Sequence, residues 1–218
     1  MYHCRIFAHH DRWLFAAGCL LFAASMGLAN ATTLSNNLSA PTNYTELVYG
    51  SNWTTASFGT GTSASTLTSA TLLLQLDMGN VMNLDLYSDR NGQPGSLVGA
   101  LTGPSSYNPD TYVPTVFSGN GLSLSANTTY WLVANSSDGQ FEWAYTDDNT
   151  GSGIGFQHTW GTSTDAGQNW YTSTLQPMQM RVDDNSASPV PEPAAMTLLL
   201  LGSTVMALTL FVRRPTHV

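Results

Sequence analysis

The sequence predicts an all-β protein: an antiparallel β-sandwich, jelly-roll-like, lying between an N-terminal signal helix and a C-terminal transmembrane helix. Apolar and polar residues alternate at the two-residue period of a strand, with Ala70, Leu72, Leu74 and Leu76 set against Thr71, Gln75 and Asp77. Short apolar runs are separated by clusters of Gly, Asn, Ser and Pro, the usual makers of turns. No window from Thr32 to Ser188 carries the apolar stripe of an amphipathic helix.

Composition narrows the class. Charged residues are 9% of the 218, against roughly 25% in an ordinary soluble domain. Fourteen acidic residues oppose six basic ones, all arginine, for a net charge of −8. A nucleic-acid binder needs a basic stripe to neutralise phosphates, so that class is excluded. A coiled coil would be rich in Glu, Lys and Arg. With 42% hydrophobic and 11% aromatic residues, the chain has the means to build a core.

Residues 1–29 have the parts of a secretory signal. Arg5 and Arg12 precede an apolar run from Trp13 to Ala24, and small residues follow at the spacing of a cleavage site. Cleavage is expected after Ala29 or Ala31. An uncleaved anchor fits less well because the apolar run is short. A lipoprotein signal at Ala16-Ala17-Gly18-Cys19 would leave too little apolar core ahead of the cysteine. Cys4 and Cys19 are the only cysteines, so the mature chain has no disulfide, thiolate nucleophile or cysteine metal site.

The β-sandwich is assigned to residues 32–185. Between Ala31 and Pro189 stand two arginines (Arg90, Arg181), twelve acidic residues and no lysine. Such a surface keeps a protein soluble and repels anionic polymer. After Ala70–Leu76, a second alternating strand is expected over Met82–Tyr87, then a turn over Ser88–Gly95. Further strands are expected at Leu97–Leu101, Val113–Phe117, Thr129–Ala134, Phe141–Tyr145, Gly155–His158 and Gln179–Asp183.

Residues 186–193 form a linker ending in Val190-Pro191-Glu192-Pro193. An uncharged run of 19 residues, 194–212, then leads to Arg213-Arg214 in a tail over 213–218. As a helix the run spans about 29 Å, close to the hydrocarbon thickness of a bilayer. The arginines place the tail in the cytoplasm by the positive-inside rule, which leaves the body outside, as the signal also requires.

Pro-Glu-Pro, a single span and a terminal arginine pair, in that order, resemble the PEP-CTERM sorting signal of Gram-negative bacteria. The resemblance implies recognition by an exosortase-type membrane protease or transpeptidase, with cleavage near the motif. The protein would be membrane-anchored before processing and at the cell surface or extracellular afterwards. Val190, Pro191, Glu192 and Pro193 would be the sorting motif, and Arg213 and Arg214 the cytoplasmic stop. Rigid, extended Pro-x-Pro also suits an accessible processing site. Proteins with such tails are common in bacteria that make exopolysaccharide, which makes that polymer a candidate partner.

In the body, Leu84-Asp85-Leu86-Tyr87-Ser88-Asp89 with Gly92-Gln93-Pro94-Gly95, and Leu122-Ser123-Leu124 leading to Thr129-Tyr130-Trp131-Leu132-Val133, resemble choice-of-anchor domains of type R. The likeness covers roughly residues 43–183 and implies neither a catalytic residue nor a cofactor. The chain is therefore expected to be non-enzymatic.

Three other chemistries have candidate residues in the body. Trp131, Trp143, Trp160 and Trp170 could stack sugar rings as a carbohydrate-binding module, or fill the core. A surface glycan hydrolase would need paired carboxylates, with Glu142 near Asp138, Asp147 and Asp148, or a triad built on His158. Glu142 lies between Phe141 and Trp143 and so points away from both. No Gly-x-Ser-x-Gly elbow is present, and a lone histidine on a strand reads as structural. Asp89-Arg90-Asn91-Gly92 and Asp147-Asp148-Asn149-Thr150-Gly151 gather oxygen donors without EF-hand spacing, so they read as turns, and no metal is expected.

Overall fold

Eleven strands and, among the described residues, no helix realise the alternation seen in the sequence. The computed structural model describes residues 31–186. The expected signal segment with Ala29, the sorting motif Val190–Pro193, the span 194–212 and Arg213–Arg214 lie outside them.

The strands are β1 (Thr32–Asn36), β2 (Tyr44–Tyr49), β3 (Trp53–Gly59), β4 (Ser65–Asp89), β5 (Pro94–Ala100), β6 (Val113–Ser118), β7 (Ser123–Leu124), β8 (Thr129–Tyr145), β9 (Trp160–Ser163), β10 (Tyr171–Ser173) and β11 (Met180–Asp184). All pairings are antiparallel, in the order β1-β11-β4-β8-β3-β9-β10. β2 lies along β8, and β5, β6 and β7 pair with β4.

The sheet has to curl because its two central strands are too long to run straight. At 3.3 Å per residue, the 25 residues of β4 would reach about 80 Å, twice the roughly 40 Å breadth of a domain of this size. The bend falls at one level in three adjacent paths. Gly79 and Gly139 are opposed in the β4–β8 ladder, which shifts register on either side of them. Gly50 sits in the jog between β2 and β3, both of which run along β8. All three glycines have positive φ: 52° at Gly50, 76° at Gly79 and 130° at Gly139. A Cβ on Gly79 would come within 2.4 Å of Gly139 Cα, and one on Gly139 within 2.4 Å of the Met78 carbonyl oxygen. Only glycine permits so close a crossing.

The bend divides the sheet into two arms that enclose the core. One carries Leu72, Leu74, Phe141, Trp143, Met180 and Val182; the other carries Phe58, Leu84, Leu86 and Leu132; all are buried. The hairpin turn between β4 and β5 falls inside the expected Ser88–Gly95 segment.

Two strand expectations change. Ala70–Leu76 and Met82–Tyr87 are halves of β4, and Thr129–Ala134 and Phe141–Tyr145 are halves of β8, because the intervening glycines bend these strands without ending them. Gly155–His158 is a loop. The Gly155 N–H donates to the Leu34 carbonyl, while its own carbonyl accepts from Gly59, so its bonds are divided between β1 and β3 and no ladder forms. A Cβ on Gly155 would lie 1.9 Å from the Gly59 oxygen, which keeps this crossing for glycine. Six strands, β1, β2, β3, β7, β9 and β10, lie outside the expected set.

Candidate functional site

The four tryptophans singled out by the sequence divide into two pairs. Trp131 is 1% exposed and donates its indole N–H to Asp89 Oδ1 at 2.8 Å. Trp143 is 0% exposed and donates to the Gln179 carbonyl at 3.0 Å. Neither can meet a sugar ring, and each satisfies its one donor inside the protein. These two are withdrawn as stacking residues. Trp160 and Trp170 are half-buried, on β9 and just before β10 at one edge of the sheet.

On that side the arms come together around three rings. Tyr44 on β2 is the register partner of Tyr145 on β8, and their rings stack with centroids 5.4 Å apart at 29°. Trp160, which pairs with Ala56 of β3 and so arrives from the other arm, stacks on Tyr145 at 5.6 Å and 22°. Its indole N–H donates to the Leu175 carbonyl at 2.6 Å. Tyr145 is held between two rings, whereas Tyr44 is 53% exposed. Beyond Thr162, Tyr171 on β10 is 72% exposed.

Beside this stack is a cleft of about 280 Å³, lined by Glu46 and Asn52 from the β2–β3 segment, by Trp53, and by Thr162, Ser163 and Thr164 from β9 and its loop. Alternation along β2 places Glu46 on the same face as Tyr44, opposite Trp143 in the register. Among the described residues no donor hydrogen-bonds its carboxylate, and burial raises its pKa above the ordinary glutamate value. The Tyr145 hydroxyl is also raised, by burial first and then by the neighbouring Glu46, Tyr44 and Asp147. Glu46 therefore links the cleft to the stack.

The far rim of the cleft is preordered. Asp165 accepts the Ser163 hydroxyl at 2.7 Å, the Asn169 amide N–H at 2.9 Å and the Asn169 side chain at 2.6 Å. Those donors, the Asn169 side chain foremost, lower its pKa to about 2. In the same loop Gly167 sits against Trp53, where a Cβ would meet the indole ring at 2.8 Å, with Trp170 just behind at 3.5 Å.

The remaining candidates are not brought together. Glu142 points to the outer face, as its alternation requires, and accepts a hydrogen bond from the Tyr112 hydroxyl. Burial, and then that bond, push Tyr112 up to about 12. His158 is exposed on the crossing loop, and the clefts described here include neither His158 nor Glu142 in their linings. Asp89 is committed to Trp131 and to the Gly92 N–H. Asp147 and Asp148 accept from Gln176 and Thr150. Those loops satisfy their own donors and acceptors, as turns do. A cleft of about 720 Å³ lies where both ends of the body emerge, and its walls are mostly Thr, Ser, Gly and Asn, with no titratable or aromatic side chain.

Sequence reasoning missed Tyr44, Glu46 and Trp53. Along β2, Tyr44, Glu46 and Val48 face one way and Thr45, Leu47 and Tyr49 the other, so neither face reads as apolar and periodicity gives no signal. No family model matches the chain, and no curated protein does.

Proposed function

We propose that this is a non-enzymatic, exported bacterial surface or extracellular-matrix protein, delivered by its N-terminal signal and sorted by a PEP-CTERM-type tail. The observation that carries this reading is the order of elements after residue 189: Val190-Pro191-Glu192-Pro193, the uncharged run 194–212, then Arg213-Arg214. The charge distribution agrees, since four of the six arginines lie in the two terminal segments.

The fold lends support. β1 pairs with β11, with Thr32 opposite Asp184, so the first and last residues of the body lie side by side. A body tethered by its C-terminal end would thus present its far side outward. The aromatic stack is removed from the tether: Met178, bridged to Tyr145, precedes Asp184 by six residues, about 20 Å of strand. We read the two arms as the layers of a jelly-roll-like sandwich and the body as a choice-of-anchor-type domain.

The test expresses the full chain, with and without Pro191-Glu192-Pro193, in cells that have or lack an exosortase-type protease. The intact chain should be shortened and reach the surface only where the protease is present, and the deletion should remain full-length in the membrane. Identical processing in cells without the protease refutes the reading.

A further inference from the structure

We propose that the cleft between β2 and β9 is a binding site for an uncharged polysaccharide, with Tyr44, backed by the Tyr145–Trp160 stack, meeting the C–H face of a sugar ring and Glu46 accepting its hydroxyls. The site stands on the body alone and is independent of how the tail is processed.

Two observations of different kinds converge. The first is the stack, in which rings from two arms of the sheet meet next to Glu46, a wall of the cleft of about 280 Å³, with the outer ring, Tyr44, 53% exposed. Ligand sites pair such aromatic surface with a few polar groups that fix orientation. The second is Glu46, a half-buried carboxylate to which no described residue donates. Partial burial removes water from a charged acceptor, and a ligand carrying adjacent O–H donors restores what was lost. Neighbouring hydroxyls on a pyranose are such donors. Asn52, Thr162, Ser163 and Thr164 supply further hydrogen-bonding groups on the same walls.

Charge selects among sugars. Glu46 and a body with twelve acidic residues against two arginines repel a uronate or sulfated polymer. Ring geometry argues against a cationic ligand. A cage for an ammonium surrounds it with ring faces, whereas here successive rings lie within 29° and 22° of parallel and cover one another. The ring left open to a flat ligand is Tyr44, backed by the other two.

The experiment titrates the full chain in detergent micelles with neutral hexasaccharides of glucose, galactose and mannose, with a hexagalacturonate and with a glucosamine hexamer, each by calorimetry. At least one neutral oligomer should bind, and the charged ones should bind at least about tenfold more weakly. Tyr44→Ala and Glu46→Gln should each weaken the neutral ligand about tenfold, while Val116→Ser, on the distant strand β6, should leave affinity unchanged. Both site residues are partly open to solvent, so the variants should fold, and a thermal melt checks this. The proposal is overturned if no neutral oligomer binds, if a charged one binds as well, or if both site variants keep full affinity. Tail processing is read separately in cells, so failure of one proposal leaves the other standing.

Discussion

Trp143 and Trp160 belong to opposite arms of one sheet, and each donates its indole N–H to a backbone carbonyl. Their surroundings differ. Trp143 lies near the end of β8 but has a strand on each side, β4 through Leu74 and β2 through Glu46. Trp160 begins a four-residue strand whose outer neighbour, β10, has three residues. Enclosure thus follows from how much strand lies on either side: long partners seal one indole in the core, and short edge strands leave the other half-buried. Residue type is the same in both places, and sheet position decides the role.

The largest expected effect comes from the sealed side. Trp143→Ala should cost about 3–5 kcal/mol in denaturant unfolding, through lost burial and the cavity left behind. Trp160→Ala should cost about 1–2 kcal/mol, because part of that ring is already in water. Equal losses would erase the distinction between the two regions.

The bend that makes two arms is the next place to press. Gly139→Ala should destabilise by about 1–3 kcal/mol, since the residue has φ of 130° and an added Cβ would meet the Met78 oxygen at 2.4 Å. Gly92→Ala, at a turn with φ of 79° and open space around it, should cost less.

Glu46→Gln sharpens the comparison by pH. Burial raises the folded-state pKa of Glu46, so the folded protein holds that proton more tightly than the unfolded chain. Stability from this group is present below its unfolded pKa and is lost as pH rises through the raised folded value. The glutamine variant should therefore melt within about a degree of wild type at pH 3 and a degree or two higher at pH 7. A lower melting temperature at pH 7 would show that the carboxylate is held by partners and is not waiting for a ligand.

The smallest effect is at the cleft rim. Asn169→Ala should raise the Asp165 pKa from about 2 toward the ordinary aspartate value, followed by carboxyl NMR titration, because it removes the largest of the donors to Asp165. An unchanged titration would assign the low value to the remaining donors.

The sheet was far more legible in the sequence than the cleft. Leu72–Leu74 and Leu84–Leu86 alternate cleanly because one face of β4 is core on either side of the bend, and the turn residues of Ser88–Gly95 do form the β4–β5 turn. The continuity of β4 and β8 was hidden, since Met78-Gly79-Asn80 and Asp138-Gly139-Gln140 look like breaks when read locally. Their partners across the ladder make them bends. β1 and β3 are rich in Thr and Ser, and β2 has mixed faces, so they give no period-2 signal. The cleft was illegible for a further reason. Tyr44, Glu46, Tyr145 and Trp160 come from three strands spread over more than a hundred residues, and only the curl of the sheet brings them together.

The most direct test labels the full chain with 5-fluorotryptophan and follows its fluorine resonances while a bound neutral oligosaccharide is added. Resonances assigned by single Trp→Phe substitutions should divide into two groups. Trp160 and Trp53 should shift and saturate together at the calorimetric Kd, and Trp131 and Trp143 should stay in place. Shifts at the sealed pair, or none at Trp160, would contradict the division between closed core and open cleft on which the account rests.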